Sequence, residues 1–291
     1  MNSYFLVILA DILLAATFVF QKKYQLKMGT SFKAGLVYNL MMGLFSSVIF
    51  LFVNKFHIEF SWFSIGMATV FTCAIMMYIF LSFMIMKKGN KSLYTLFLMS
   101  GGMTVPYVWG VAFLDEDLTL FRTLGLLLII GAIVIFNSDV KKIDKKQVLL
   151  CVAVFFLNGI SSVSSKLHQI NPVSEIVTSS DFSFIVMVVK TVFSAVLMFV
   201  FRNKFKSEET AKLPIKAVIP VVILAAAADG FSYMLQLMGA SNLPATVLYP
   251  LVTGGSVILS AIAGLVVYKE KLNLRQWLGI ALCFAGTLLF L

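Results

Sequence analysis

The chain has 291 residues, of which 60% are hydrophobic and only 12% are charged, and its mean hydropathy is +0.98. A soluble domain is roughly half apolar and about a quarter charged. These values exclude an ordinary soluble globular protein and predict a chain that folds in lipid. The net charge of +10 does not indicate nucleic-acid binding, because the Lys and Arg residues lie in short loops between apolar runs.

Ten apolar stretches have about the 20 residues that a helix needs to cross a bilayer. The first carries Asp11 and has no basic segment before it, so it predicts a membrane helix rather than a cleavable signal. The longest polar segment, Arg202–Lys216, predicts a surface loop. The predicted helices are Tyr4–Phe20, Phe32–Val53, Trp62–Met86, Leu93–Leu114, Leu120–Phe136, Val148–Ser165, Phe182–Phe201, Ala217–Met238, Ala245–Tyr268 and Leu274–Leu291.

Two segments share a pattern at a separation of 154 residues. FLDEDLTLFRTLG at 113–125 and VYKEKLNLRQWLG at 267–279 align Glu116 with Glu270 and Gly125 with Gly279. Matches that keep the same order along the chain predict an internal repeat. We therefore predict two halves, residues 1–140 and 147–291, separated near the polar segment 137–146. Further matches are Tyr78 with Tyr233, Leu93-Tyr94 with Leu248-Tyr249, and Lys22 with Lys166.

Each half holds five predicted helices. Because five is odd, the second half enters the membrane from the opposite side, and the two halves are inverted copies. The predicted fold is therefore an all-α membrane protein with ten transmembrane helices in two inverted five-helix repeats. Secondary transporters use this architecture, with the substrate near mid-membrane between the repeats.

The distribution of basic residues favours the same topology. Of the 23 Lys and Arg residues, 19 lie in the loops after the first, third, fifth, seventh and ninth predicted helices. Only three lie in the other loops. By the positive-inside rule, we expect a multi-pass protein of the cell membrane with both termini on the non-cytoplasmic side.

Ionisable residues near helix centres are the leading candidates for a binding site, because a charge at mid-membrane is costly. Asp229 shares a helical face with Tyr233 and Gln236, four and seven residues further on. This stripe could hold an ammonium group or pass a proton. The alternative is that Asp229 caps a kinked helix beside Gly230 or only packs against another helix.

Lys190 and Asp11 are the other mid-helix charges. Lys190 could bind a carboxylate or pair with either acid, and Asp11 could carry a proton or cation. Asn158 could line a cavity or join helices, and the aromatic candidates could stack or make cation–π contacts. The predicted substrate-binding residues are Asp229, Tyr233, Gln236, Lys190, Asn158, Tyr78, Tyr249, Asn39 and Trp109, and the predicted proton or cation coupling residues are Asp229 and Asp11.

The last hairpin carries the motif on which a family resemblance depends. Tyr268, Glu270, Leu272, Gly279 and Gly286 are spaced as Tyr-Lys-Glu-Lys-Leu…Gly…Gly. With ten helices in two inverted halves, the chain resembles the EamA-type members of the drug/metabolite transporter superfamily. The resemblance implies a secondary transporter of small organic solutes such as amino acids, amines, sugar derivatives or drugs.

The first half departs from the family pattern at two positions. Thr95 stands where the second half has Pro250, and Asn39 stands where family members often carry a basic residue. The resemblance in the first half is therefore carried by fewer residues.

The sequence has no convergent acid, base and nucleophile, no phosphate-binding glycine loop and no metal-ligand spacing. We expect neither an enzyme nor a bound cofactor or metal. The expected partners are a small-molecule substrate, the lipid bilayer and a proton or other coupling ion, with no nucleic acid, in a monomer or homodimer.

The predicted function is transport of a small amino acid-like or amine-like metabolite, zwitterionic or cationic, by alternating access. Two alternatives stay open. One is a multidrug efflux transporter of the same family, and the other is a flippase for a lipid-linked substrate.

Overall fold

A computed structural model of the chain describes residues 2–86, 91–136, 145–171, 177–207, 215–269 and 271–291. Every regular element in these ranges is an α-helix. The helices are α1 (Ser3–Met28), α2 (Phe32–Val53), α3 (Trp62–Met86), α4 (Lys91–Phe113), α5 (Leu120–Phe136), α6 (Lys145–Ile170), α7 (Ser179–Val200), α8 (Arg202–Ser207), α9 (Ile215–Asn242), α10 (Ala245–Tyr268) and α11 (Leu274–Leu288).

Among the described residues, eight helices are long and apolar enough to cross a bilayer: α1 to α4, α6, α7, α9 and α10. Helices α5 and α11 are apolar but have only 17 and 15 residues, fewer than the about 20 of a straight span. Large apolar side chains such as Trp62, Phe199 and Val266 are exposed on the outside of the bundle. The prediction of an all-α membrane protein is confirmed, and the count of exactly ten spans stays a prediction.

The segment predicted as a loop after α7 begins with a short helix. Within α8, Phe205 is buried, and its ring lies 6.0 Å from the ring of Phe32 and 6.4 Å from that of Phe201. The loop prediction was wrong over Arg202–Ser207 because one aromatic residue in a charged run gives this turn an apolar face to bury. The predicted break at 137–146 falls mostly outside the described residues.

Helices α1 and α6 extend beyond the apolar stretches that predict them. Helix α1 continues to Met28 and α6 runs from Lys145 to Ile170. The backbone hydrogen bonds of a helix can continue beyond the apolar segment, because they do not depend on the polarity of the side chains. The added turns carry polar residues that hold the ends of the bundle, among them Lys166.

The long helices pack in a pattern that relates the two halves of the chain. Helix α1 packs against α9 and α10, and α6 packs against α3 and α4. Helix α2 packs against α7 and α9, and α3 packs against α7. Helices α5 and α11 pack against each other. Each of these contacts joins one of the helices α1–α5 to one of the helices α6–α11.

Glycines allow two of these helix pairs to approach closely. A Cβ atom on Gly125 of α5 would lie 2.8 Å from the carbonyl oxygen of Gly286 of α11, and one on Gly286 would lie 2.9 Å from that of Gly125. In α4, Gly101 packs directly on the backbone of Phe155 of α6. Small residues at such contacts are the common device of membrane helix packing.

The turns after α4 and α10 share an unusual backbone conformation. Asp115 has a φ of 51° and Lys269 has a φ of 53°, both in the left-handed region that residues other than glycine seldom adopt. These two positions are separated by the same 154 residues as the sequence match described above.

Candidate transport site

A cavity of about 240 Å³ lies inside the bundle, with walls formed by α1, α2, α3, α7 and α9. Asp229 and Lys190, which line it, lie near the midpoints of α9 and α7. Aromatic rings form much of the wall, including those of Phe18, Phe71 and Tyr78. Because a water molecule occupies about 30 Å³ in the liquid, this space suits a small organic molecule.

The cavity contains an ion pair. The Nζ atom of Lys190 lies 3.8 Å from Oδ2 of Asp229, and the two side chains keep 16% and 26% of their exposure. A direct charge-assisted hydrogen bond would be about 2.7–2.9 Å long. The charges lower the cost of burying each other, yet both still face the cavity, where a ligand can reach them.

Helix α9 presents the stripe that its spacing predicts. It runs without interruption from Ile215 to Asn242, so Asp229 lies inside the helix and not at one of its ends. Tyr233 and Gln236 line the same cavity. The side-chain amide of Gln236 donates to Ser232 Oγ at 3.1 Å, and this hydroxyl donates to the carbonyl of Ala10 in α1 at 2.7 Å. The stripe is therefore anchored to α1.

Helices α2 and α3 each contribute a predicted binding residue with a neutral polar side chain. Asn39 of α2 and Tyr78 of α3 line the cavity, and the Asn39 amide donates to the Gly35 carbonyl of its own helix at 2.9 Å. The structure thus brings six of the nine predicted binding residues to one cavity, while their binding role stays a prediction. These six are Asp229, Tyr233, Gln236, Lys190, Tyr78 and Asn39.

The other three predicted binding residues lie outside this cavity. Asn158 of α6 donates to the Leu98 carbonyl of α4 at 2.7 Å. The hydroxyl of Tyr249 in α10 donates to the Ser162 carbonyl in α6. Trp109 packs against Phe113, with their ring centroids 4.4 Å apart. In this conformation Asn158 and Tyr249 join helices, and Trp109 packs within α4.

Asp11 is buried apart from the cavity. It is only 4% exposed, and among the described residues no hydrogen-bond partner reaches its Oδ1 atom. Its carboxyl group packs against Gly255 of α10, at a point where a side chain on residue 255 would collide with it. A buried carboxyl group of this kind is costly within a membrane, which makes Asp11 a candidate for reversible protonation.

Charged side chains hold the turn between α9 and α10. The buried Lys166 donates from Nζ to the carbonyls of Ala240 and Leu243, both at 2.7 Å. The carboxylate of Glu116 accepts from the first two backbone N–H groups of α10, at 2.6 and 2.8 Å. A cation at a helix C-terminus and an anion at an N-terminus both complement the helix dipole. Glu270, aligned with Glu116, lies outside the described residues.

A family model of EamA-like transporters matches residues 145–291, which is half of the chain. The chain belongs to the EamA-like transporter family. The match includes Lys190, Asp229 and the closing hairpin, and it places the protein in the drug/metabolite transporter superfamily. The match confirms the broad class predicted from the closing hairpin, which is a membrane transporter.

One solved structure, described as "Crystal structure of protein", superposes on this EamA-like chain with a TM-score of 0.79. The superposition covers 99% of the chain and 96% of the solved one at 14% identity, so the likeness is one of fold. In all, 29 chains of solved structures match. A comparison with curated proteins gives no match.

The cavity of this EamA-like transporter also includes polar residues that the sequence did not single out. They are Thr17, Gln21, Tyr38, Thr72 and Ser232. Tyr38 and Ser232 directly precede the predicted residues Asn39 and Tyr233. This proximity in the sequence was the only feature that could have indicated them as cavity residues. An isolated threonine such as Thr72 in an apolar helix is more often a packing residue and gave no signal.

Proposed function

We propose that this protein is a secondary transporter for a small zwitterionic or cationic organic metabolite, of the amino acid or amine type. The observation that carries the proposal is the Asp229–Lys190 pair in a cavity of about 240 Å³. Asp229 would bind the ammonium group of the substrate. Lys190 would bind a carboxylate, which makes a zwitterion the best match for the pair.

The aromatic wall supports the cationic part of this proposal. Ring faces attract a cation, and the contact is stronger when water is excluded. Phe71 lies against Tyr233 with ring centroids 5.1 Å apart, next to the acidic stripe of α9. An ammonium group at Asp229 would share the cavity with these aromatic rings.

The size of the cavity favours a metabolite over the alternative of a drug. Pockets for drug-sized ligands usually measure about 300–1,000 Å³. At about 240 Å³, this cavity is below that range. A flippase for lipid-linked substrates is the remaining alternative, and a flux assay with water-soluble substrates separates it from a metabolite transporter.

Alternating access between two inverted halves is the mechanism we propose. The packing of α1 on α9 and α10 corresponds to that of α6 on α3 and α4, as expected when α1–α5 correspond to α6, α7, α9, α10 and α11. The shared left-handed conformation of Asp115 and Lys269 supports the same correspondence. In such transporters the halves rock around a central site.

Hydrogen bonds from α6 support a closed end of the transport path. Lys166 binds the end of α9, the hydroxyls of Ser165 and Tyr233 lie 3.0 Å apart, and Tyr249 binds the Ser162 carbonyl. Opening at this end would require these contacts to separate. Polar groups that separate can form hydrogen bonds to water instead. Opening such an end therefore costs less free energy than separating an apolar core would.

Asp11 is the group that we propose for proton coupling, together with Asp229. Its carboxyl group lies between α1 and α10, outside the cavity, so it could change charge without touching the substrate. In a proton-coupled transporter, Asp11→Asn should abolish accumulation driven by a pH gradient and spare substrate exchange. Gradient-driven accumulation at the native rate in this variant would contradict the proposal.

The cell membrane is the location we propose, with both termini on the non-cytoplasmic side. The support is the position of 19 of the 23 Lys and Arg residues in the loops of one side. An epitope tag at either terminus should be accessible to antibody on intact cells. Access only after permeabilisation would contradict this orientation.

The transport proposal is tested with purified protein in proteoliposomes. A thermal-shift screen of amino acids and primary amines would identify binders, and flux of the radiolabelled binders would follow. Asp229→Asn should abolish binding and flux, because the ammonium group loses its counter-charge. Asp117→Asn is the matched control, since Asp117 is exposed and far along the chain from the cavity lining.

The outcome is interpretable only if the variant folds. A monodisperse size-exclusion profile and an unchanged helical circular dichroism spectrum would show this. Native flux in a folded Asp229→Asn variant would overturn the assignment of the site.

A further inference from the structure

Two hydroxyl groups of the cavity lining are buried without a partner. Tyr38 of α2 is 8% exposed and Thr72 of α3 is 2% exposed. Among the described residues, no hydrogen-bond partner reaches the Tyr38 hydroxyl oxygen or Thr72 Oγ1. Leaving a buried hydroxyl unpaired is costly, so such groups in a native protein call for an explanation.

Other polar side chains of the same cavity do have protein partners. Thr17 donates to the Leu13 carbonyl at 3.1 Å, and Ser232 donates to the Ala10 carbonyl at 2.7 Å. The bond of Thr17 goes to the preceding turn of its own helix, as threonine and serine side chains in membrane helices often do, whereas that of Ser232 goes to α1. Thr72 does not make the bond within its own helix, although the geometry of a helix offers it.

Packing, rather than its hydroxyl, holds the Tyr38 side chain in place. Its ring lies against the ring of Tyr24, with centroids 4.8 Å apart. The Tyr24 hydroxyl is itself used, because it donates to the Ala34 carbonyl at 2.8 Å. The Tyr38 side chain is therefore held in the cavity wall by its neighbours, while its hydroxyl is left without a bond of its own.

The neighbourhood of Tyr38 relates it to the proposed ammonium site. Tyr38, Thr72 and Asp229 all line the same cavity of about 240 Å³. A substrate whose ammonium group binds Asp229 thus brings its remaining atoms close to α2 and α3. The groups it meets there can both donate and accept a hydrogen bond.

We propose that Tyr38 and Thr72 form a second polar subsite, which recognises a hydroxyl or carboxamide group on the side chain of the substrate. This inference rests on the proposed transport of a small amino acid-like metabolite. It narrows that class to substrates with a polar side chain. A site built to hydrogen-bond a substrate group discriminates strongly against the analogue that lacks it, since its own polar groups are then left unpaired.

The test uses near-isosteric pairs of amino acids that differ in this group. Threonine is compared with valine, and asparagine with leucine, by binding to the purified protein and by flux in proteoliposomes. The native protein should prefer the polar member of a pair by about tenfold or more. Tyr38→Phe and Thr72→Val should each remove most of that preference, chiefly by weakening binding of the polar member.

The Tm of the variants distinguishes a binding role of the two hydroxyls from a structural one, because only the loss of a structural hydrogen bond should lower it. Tyr38→Phe and Thr72→Val should leave the Tm in detergent unchanged or slightly higher, because neither hydroxyl loses a partner. Tyr24→Phe is the matched control in the same ring pair. It should lower the Tm, since it removes the bond to Ala34, and should leave the substrate preference as it was.

Three results would each overturn the subsite while leaving the proposed function intact. The first is native transport without preference within the pairs. The second is a preference that both variants keep, as expected if the hydroxyls bind only water. The third is a fall in Tm for Tyr38→Phe as large as for Tyr24→Phe. If the native protein binds and moves none of these four amino acids and no other amine or zwitterion, the proposed function itself fails, and the subsite with it.

Discussion

The Nζ atom of Lys190 lies 3.8 Å from the Oδ2 atom of Asp229, and both residues belong to the half of the chain that matches the family model. The first half contributes neutral side chains to the same cavity, among them Asn39 and Tyr78. The charges of the proposed site are thus confined to α7 and α9. A substrate held between them would move with those helices.

The pair can be tested by removing its charges singly and together. Asp229→Asn and Lys190→Gln should each lower stability by about 1–3 kcal/mol, because each leaves a partly buried charge without its partner. The double variant should regain much of this loss while remaining inactive in transport. Thermal unfolding of all three in detergent measures the coupling. Equal and additive losses would show that the two charges do not stabilise each other.

Glu116 should matter for stability, although it lies outside the cavity. Glu116→Gln removes a charge and one acceptor from the N-terminus of α10, which should cost about 1–2 kcal/mol. Asp117→Asn changes an exposed acid in the same loop and should have little effect. The measurement is thermal unfolding of each variant, and matching Tm values for the two would contradict a capping role.

Lys166→Met tests the closed end of the bundle. The substitution keeps the volume of the side chain and removes two hydrogen bonds to the end of α9, which should cost about 1–3 kcal/mol. Lys146→Met in the exposed first turn of α6 is the control. A cysteine introduced at Ala240, which is only 1% exposed, would report on opening, since it should react faster with a thiol reagent in the Lys166→Met background. An unchanged reaction rate would argue against a gating contact.

Two glycines of α5 should respond oppositely to alanine. A Cβ at Gly125 meets the Phe290 ring at 2.6 Å and the Gly286 carbonyl at 2.8 Å, whereas one at Gly131 meets nothing within 4 Å. Gly125→Ala should therefore cost about 1–3 kcal/mol by overpacking. Gly131→Ala should be neutral or stabilise the helix by up to about 1 kcal/mol. Thermal unfolding measures both, and destabilisation by Gly131→Ala would show an unrecognised contact.

Helical spacing predicts which residues of α9 lie on one wall of the cavity. Asp229, Tyr233 and Gln236 recur at four and seven residues, and the uninterrupted helix places all three on the cavity lining. Such an inference needs only the period of the helix. It works because an acid in mid-membrane already indicates the side on which the protein interior lies.

Helical spacing does not identify Tyr38 and Thr72, because the polar residues of α2 and α3 do not gather on one face of either helix. In a helix of a soluble protein, the polar face indicates which side is exposed to water. A membrane helix presents apolar side chains to both lipid and protein, so hydropathy does not show which side faces the protein interior. The orientation of α2 and α3 follows from contacts with α7 and α9 that lie far away in the sequence. For the same reason, the sequence does not reveal that Asn158 and Tyr249 bond to neighbouring helices instead of facing the cavity.

The left-handed turns at Asp115 and Lys269 differ in charge but not in the φ angle of these residues. Asp115 is an acid and Lys269 a base, yet their φ angles of 51° and 53° are nearly equal. The shape of the turn therefore makes no demand on the sign of its charge, whereas insertion into the membrane depends on that sign. We therefore expect an exchange of charges between the two turns to affect the direction of insertion more than the backbone conformation of either turn.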